Sequence, residues 1–195
     1  MDARSPARLA PRLRPGLVAI VHVNADPDAI GSAYALARAY GGTVAAPGGV
    51  AVAGRRLAMA LRLDVGDALP DGPQRVLVDA ASAAQFRPWE SQLAPFLLVD
   101  HHAEADLAGA AEVACVVPRS SCAEVVLEVL DAAGRPPDAL GSLGLLAALA
   151  ADTGRFRFAD TRTFEAASRL LAACGRPWAS VVEIIEGDED EDATR

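Results

Sequence analysis

Short polar clusters interrupt the apolar runs of this sequence and hold the residues best suited to chemistry. His22-Val23-Asn24-Ala25-Asp26-Pro27-Asp28 follows one apolar run, and Asp79 ends another (RVLVD, 75–79). Asp100-His101-His102 follows FLLV, and Asp152 stands in ADTGR (151–155). All 3 histidines of the chain lie in these clusters. Carboxylates and imidazoles without thiolates suit hard to borderline divalent ions, with octahedral Mn²⁺ or Mg²⁺ favoured and Zn²⁺ or Fe²⁺ compatible. Asp26 and Asp28, two apart in an extended loop, are placed to reach different ions. A shared carboxylate bridges two ions roughly 3.5–4 Å apart in two-metal hydrolases, and spacing alone does not say which Asp would do so. Each residue taken singly also has a plain structural role. Asp28 suits the N-cap of a helix starting at Ala29, Asp26 precedes Pro27 where extended backbone is expected, Asp79 suits a strand-to-helix loop, and Asp152 suits a turn. An apolar strand running straight into Asp-His-His is harder to explain structurally.

The elements that must position these residues alternate. Residues 17–23 read as a strand and Ala29 to Tyr40 as a helix, with a second strand at Thr43–Ala46 after Gly41-Gly42. Residues 75–79, 96–100 and 112–117 are strand-like, and Pro118 stops the last. Helical patterns then run over Ser121–Ala133, Ala139–Ala151, Thr161–Cys174 and Trp178–Ile185, divided by Pro136-Pro137 and Gly175-Arg176-Pro177. This is an α/β fold: a mostly parallel sheet flanked by helices and covered on both faces. Ligands in such sheets sit beyond the carboxyl ends of the strands, where His22, Asp79 and Asp100 fall. Gly31 and Ser32 suit close packing at a helix start, with an anion contact there as the second reading. Ser120-Ser121 with Glu124 reads as a capping box. Arg155-Phe156-Arg157-Phe158 alternates like an extended edge, whose arginines either clamp phosphate or form a solvated face over core Phe residues. Trp89 and Trp178 lack basic or aromatic company in the sequence and read as core or rim residues.

In order, H-V-N-A-D-P-D-A-I-G-S, the isolated Asp79, D-H-H and A-D-T-G-R-F resemble the four motifs of the DHH phosphoesterase superfamily, across about residues 17–175. That superfamily holds RecJ-like exonucleases, nano-RNases that also dephosphorylate pAp, cyclic-dinucleotide phosphodiesterases and family II pyrophosphatases. The resemblance, closest to the RecJ-like and nano-RNase branch, implies a Rossmann-like DHH domain with two Mn²⁺ ions (Mg²⁺ or another divalent ion being the alternative). His22 and Asp26 would bind one ion, Asp28, His101 and Asp152 the other, and Asp79 would bridge. His102 would face the substrate phosphate, Asp100 would orient the histidine pair, and Asn24, Ser32 and Arg155 are candidate substrate contacts. The implied activity is hydrolysis of phosphodiester or phosphomonoester bonds in small nucleotides or short oligonucleotides, by water that two metal ions activate. Inorganic pyrophosphatase and a non-catalytic nucleotide-binding subunit are the alternatives. Most relatives add a smaller domain with a Gly-Gly-Gly-His-type motif that closes over substrate. No such motif follows Asp152, so the expectation is a catalytic domain without a second substrate-binding domain, its lid supplied, where one is used, by a homodimer or a partner chain.

Composition limits the rest. The 195 residues suit one domain over 17–186, preceded by an Arg/Pro-rich arm at 1–16 expected to fray and followed by an acidic tail at 187–195 expected to be disordered. The run Asp188–Asp192, opposed there only by Arg195, carries half of the formal net charge of -8. Every one of the 18 basic residues is Arg, and no basic field advertises a long nucleic acid as partner. The 3 cysteines have no regular spacing and sit among apolar neighbours, which suits reduced thiols in a reducing compartment. The first sixteen residues lack the apolar segment of a secretory signal, and no apolar run is long enough to span a bilayer. A cytoplasmic protein without a membrane partner is expected.

Overall fold

Apolar runs buried on both sides form the strands. The computed structural model describes residues 5–104 and 106–187. Its strands are β1 (Val18–Ile20), β2 (Thr43–Ala45), β3 (Arg75–Val78), β4 (Leu97–Asp100) and β5 (Val113–Val116). They pair in parallel as one 5-stranded sheet in the order β2-β1-β3-β4-β5. Every residue of β1 and β4 is buried, which is why they read as continuous Val, Ile and Leu instead of alternating. Ile20 pairs with Leu77 and Val78 with Val99, so β1, β3 and β4 end side by side. The strand order reverses between β1 and β3, where doubly wound sheets open a crevice for ligands.

Among the described residues seven α-helices accompany the sheet: α1 (Pro6–Leu9), α2 (Pro27–Ala39), α3 (Val52–Ala60), α4 (Cys122–Ala132), α5 (Ala139–Asp152), α6 (Thr161–Cys174) and α7 (Trp178–Glu186). The main core lies on the face where α2, α4 and α5 pack, with Ile30, Leu36, Val126, Leu130, Leu146 and Leu149 fully buried. On the other face Val18, Ile20, Leu77 and Leu98 pack beneath Phe86, Leu93, Phe96 and Leu107. These come from short 3-10 turns and their flanks instead of α-helices. α2 and α5 meet backbone to backbone: a Cβ on Gly31 would stand 2.2 Å from the Gly144 carbonyl oxygen and 2.8 Å from the Ala148 Cβ. Only glycine permits that approach.

Three expectations change. Asp26, not Asp28, is the N-cap of α2: its Oδ1 accepts a bond from the Ala29 N–H at 3.0 Å, and Pro27 fits the first turn. α3 has no counterpart in the sequence reading, because Gly54 and the adjacent Arg55-Arg56 break up its apolar face, which buries Leu57 and Ala58. The expected frayed arm is ordered over its described part, residues 5–16. Leu9 is fully buried and Leu13 nearly so, both within the main core. The acidic run 188–192 lies outside the described residues. No helix among the described residues is long and apolar enough to cross a membrane, and all three cysteines are buried and outside any disulfide.

Candidate metal centre

The loop after β1 builds one side of the centre. His22 Nδ1 bonds the Val23 carbonyl at 2.9 Å, and Nε2 stands 3.7 Å from Asp79 Oδ2. Asn24 takes a left-handed conformation (φ 55). The N–H groups of Asn24 and Ala25 donate to the Gly48 and Gly49 carbonyls, tying this loop to the one after β2. The chain then enters α2 at Asp26.

Asp28, in the first turn of α2, is only 2% exposed. Its Oδ2 accepts from the Cys122 N–H at 2.7 Å, and its Oδ1 from the Ala123 N–H at 3.1 Å and the Ser32 hydroxyl at 3.2 Å. Asp28 therefore caps α4, an element distant in sequence. Burial, and then the charges of Asp79 and Asp152, push its carboxyl well above the ordinary range.

Asp79 sits just past β3 with φ 58, a strained conformation for a residue with a side chain. It is 3% exposed, and its buried Oδ1 has no hydrogen-bond partner. Burial opposes its ionisation, but the contacts from His101 and His22 outweigh burial and hold it below the usual carboxylate range. At 3.4 Å and without hydrogen-bond geometry, the approach of His101 Nε2 to Asp79 Oδ1 is a charge contact.

His101 follows β4. Its Nδ1 faces the Arg119 carbonyl at 3.2 Å, and because a carbonyl only accepts, the proton belongs on Nδ1. That leaves Nε2 directed at carboxylates: 3.8 Å from Asp152 Oδ2 and 3.9 Å from Asp28 Oδ2. Burial lowers the pKa of the ring, but Asp79 and Asp28 push it up to about 10. This spot demands positive charge. Asp152, the last residue of α5, strengthens the demand, because a carboxylate at the negative end of a helix is unfavourable without a cation. Burial first, then Asp79 and Asp26 against the attraction of His101, raise its pKa.

The ligand atoms fall into two sets, each within 4.8 Å: His22, Asp26 and Asp79, and Asp28, His101 and Asp152. Asp79, His101 and His102 form a third grouping that overlaps both. The partnerless Asp79 Oδ1, the crowded carboxylates and the imidazole directed at them fit divalent cations. Beside them, His102 Nδ1 bonds Asp100 Oδ1 at 2.7 Å, with Asp100 fully buried and the His102 side chain 41% exposed.

The substrate candidates fare differently. Asn24 is exposed at the rim. Ser32 is fully buried and its hydroxyl is engaged by Asp28, so it is a support for Asp28 and not a substrate contact. Arg155 forms an ion pair with Glu186 of α7 and is no phosphate clamp in this arrangement. The expected extended edge at 155–158 is a turn, with Gly154, Arg155 and Phe156 at φ 57, 59 and 69. Thr153 holds it: Oγ1 donates to the Leu149 carbonyl at 2.7 Å and accepts from the Phe156 N–H at 3.1 Å.

Sequence reasoning missed the backbone partners of the centre, the Arg119 carbonyl and the Cys122 and Ala123 N–H groups. Arg119 is itself held by Glu128, with Nε to Oε1 at 2.6 Å and Nη2 to Oε2 at 3.2 Å. The signal lay in the capping box, which only half forms. Glu124 accepts from the Ser120 N–H at 2.8 Å, but the Ser121 side chain makes no cap bond, and Asp28 takes that place.

A doubly wound α/β domain with a carboxylate–imidazole centre beside its topological switch point is the class that this fold and site define. Residues 17–151 match the DHH family, N-terminal domain, and the chain belongs to that family. Among solved structures, an exopolyphosphatase-related protein from Bacteroides fragilis superposes with a TM-score of 0.74 at 17% identity, covering 92% of this chain and 58% of that one. A putative family II inorganic pyrophosphatase from Methanococcus jannaschii gives 0.71 at 20% identity, covering 86% and 59%. Exonuclease RecJ bound to manganese gives 0.50 at 15% identity, covering 95% and 55%. This chain thus spans a little under three fifths of each relative, and the likeness lies in the fold.

Proposed function

We propose that the chain is a metal-dependent phosphoesterase that hydrolyses phosphodiester or phosphomonoester bonds of small nucleotides or short oligonucleotides, working with two divalent ions. The observation that carries this reading is the buried Asp79, lying between His22 and His101 with one oxygen unpartnered. His22 and Asp26 would hold one ion, Asp28, His101 and Asp152 the other, and Asp79 would serve both. Manganese, the ion held by the RecJ structure, is the proposed metal, with magnesium as the alternative. When bound, such ions supply Lewis acidity to phosphoryl oxygens and bring the pKa of water towards neutrality.

The chain supplies the remaining parts. Asp100 fixes the His102 proton on Nδ1, so Nε2 is the nitrogen left to accept a proton or, once protonated, to donate to a phosphoryl or leaving-group oxygen. Asp28 holds its place through backbone bonds and needs no reorganisation as charge develops at phosphorus. Absence of a basic field favours small substrates over long nucleic acids.

The test is hydrolysis of pAp, the dinucleotide pApA and pyrophosphate with Mn²⁺, alongside Mn²⁺ titration by calorimetry, for wild type and His101→Ala. Nucleotide turnover that His101→Ala abolishes is expected. Phosphate release from pyrophosphate alone would make the chain a pyrophosphatase. Tight nucleotide binding without turnover under any divalent ion would make it a binding subunit.

A further inference from the structure

Among the described residues only two aromatic side chains are exposed: Phe158 at 71% and Phe164 at 55%. Single exposed apolar residues need no explanation, but these two flank the turn that follows Asp152. Phe158 donates its N–H to the Thr153 carbonyl at 3.0 Å, and Thr153 directly follows Asp152. The Phe158 ring lies over Gly154, where an added Cβ would meet its edge at 3.4 Å. Phe156 anchors the turn, its ring 5.7 Å from Phe164 and 5.2 Å from Trp178. Trp178, read from the sequence as lacking aromatic company, closes this cluster.

One cation of the same turn is paired with a carboxylate and the other lies over the phenyl ring. Arg155 pairs with Glu186, and the Arg157 guanidinium lies 5.6 Å from the centroid of the Phe158 ring. The turn thus presents a largely exposed phenyl ring with a guanidinium over it, a combination suited to a planar π-system. We propose that Phe158, backed by Gly154 and flanked by Arg157, is a stacking platform for the base of a nucleotide whose phosphate lies at the metal centre. Phe158 is then the residue that selects nucleobase-bearing substrates over inorganic polyphosphates. This deepens the phosphoesterase reading and rests on it for the position of the phosphate.

The test measures equilibrium binding of AMP and of ribose 5-phosphate to the Mn²⁺-loaded chain, for wild type, Phe158→Ala and Phe158→Trp. Because Phe158 is exposed, neither variant disturbs the core. Phe158→Ala is expected to weaken AMP by about 5-fold to 100-fold, the range for loss of one base-to-aromatic stack. Ribose 5-phosphate and Mn²⁺ affinities should stay within about twofold, a change too small to be a lost stack, and Phe158→Trp should retain AMP. An equal loss for both phosphates, no loss for AMP, or wild-type protein that binds AMP no better than ribose 5-phosphate overturns the platform. Turnover separates the two claims. Base-selective binding lost in Phe158→Ala, in a protein that hydrolyses nothing, sinks the phosphoesterase reading and leaves the platform standing. Hydrolysis of nucleotides with unchanged kcat/KM in Phe158→Ala does the reverse.

Discussion

The two halves of the metal centre are built in opposite ways. The side chains of His22 and Asp26 make their hydrogen bonds close by in sequence, His22 to the adjacent Val23 carbonyl and Asp26 to the helix it caps. Asp28 and His101 are held from far along the chain, by the start of α4 and by the carbonyl of Arg119. The first half is placed by a loop and a helix start, whereas the second is also fixed by the packing of α4 against α2 and the sheet. Rigid support of ligand orientation is what tunes metal affinity. The Asp28–His101–Asp152 set therefore has the more distant structural support of the two candidate sets.

The largest effect is expected from Asp28→Ala. It leaves two buried N–H groups of α4 without partners and should cost about 2–4 kcal/mol of stability in urea unfolding, besides removing one ion. Protein as stable as wild type would remove the asymmetry between the halves. Glu128→Gln frees Arg119 and loosens the carbonyl that orients His101. Mn²⁺ affinity should fall by about tenfold with the unfolding midpoint nearly unchanged, and rescue by Glu128→Asp would trace the effect to the ion pair.

Metal affinity also titrates. Without an ion, His101 carries a second proton, on Nε2, up to about pH 10, since Asp79 and Asp28 overcome the effect of burial. That proton must leave before Nε2 can bind an ion. The apparent affinity should therefore rise by up to about tenfold per pH unit between 7 and 9, with proton release seen by calorimetry in buffers of different ionisation enthalpy. A pH-independent affinity would mean that His101 is not a ligand. The smallest effect belongs to the local half: Asp26→Ala should cost about 1 kcal/mol, the value of one helix cap, despite losing a ligand.

What could be read beforehand follows the same division. The strands, the helices from α4 onward and the polar clusters at strand ends were legible because periodicity and punctuation are local. His22, Asp79, His101 and Asp152 stood out because apolar runs ended in them. The cap that Asp28 provides to α4 was not legible, since Asp28 also suits the start of α2 and nothing local distinguishes the two. Ser32 suits an anion contact at a helix start, but its place one helical turn after Asp28 makes it a support for that carboxylate. Leu9 and Leu13, one turn apart, carried a faint sign that the first residues pack, masked by Arg and Pro. Arg155 was misplaced because three successive left-handed residues follow from the Thr153 bonds and not from sequence alternation.

The contact between Gly31 and Gly144 reaches into the metal centre. α2 carries Asp28 one turn before Gly31, and α5 carries Asp152 two turns beyond Gly144, so the bare backbone contact sets the gap between those carboxylates as a fulcrum sets the opening of a pair of calipers. A methyl group at position 31 would force the two helices apart and widen the jaws.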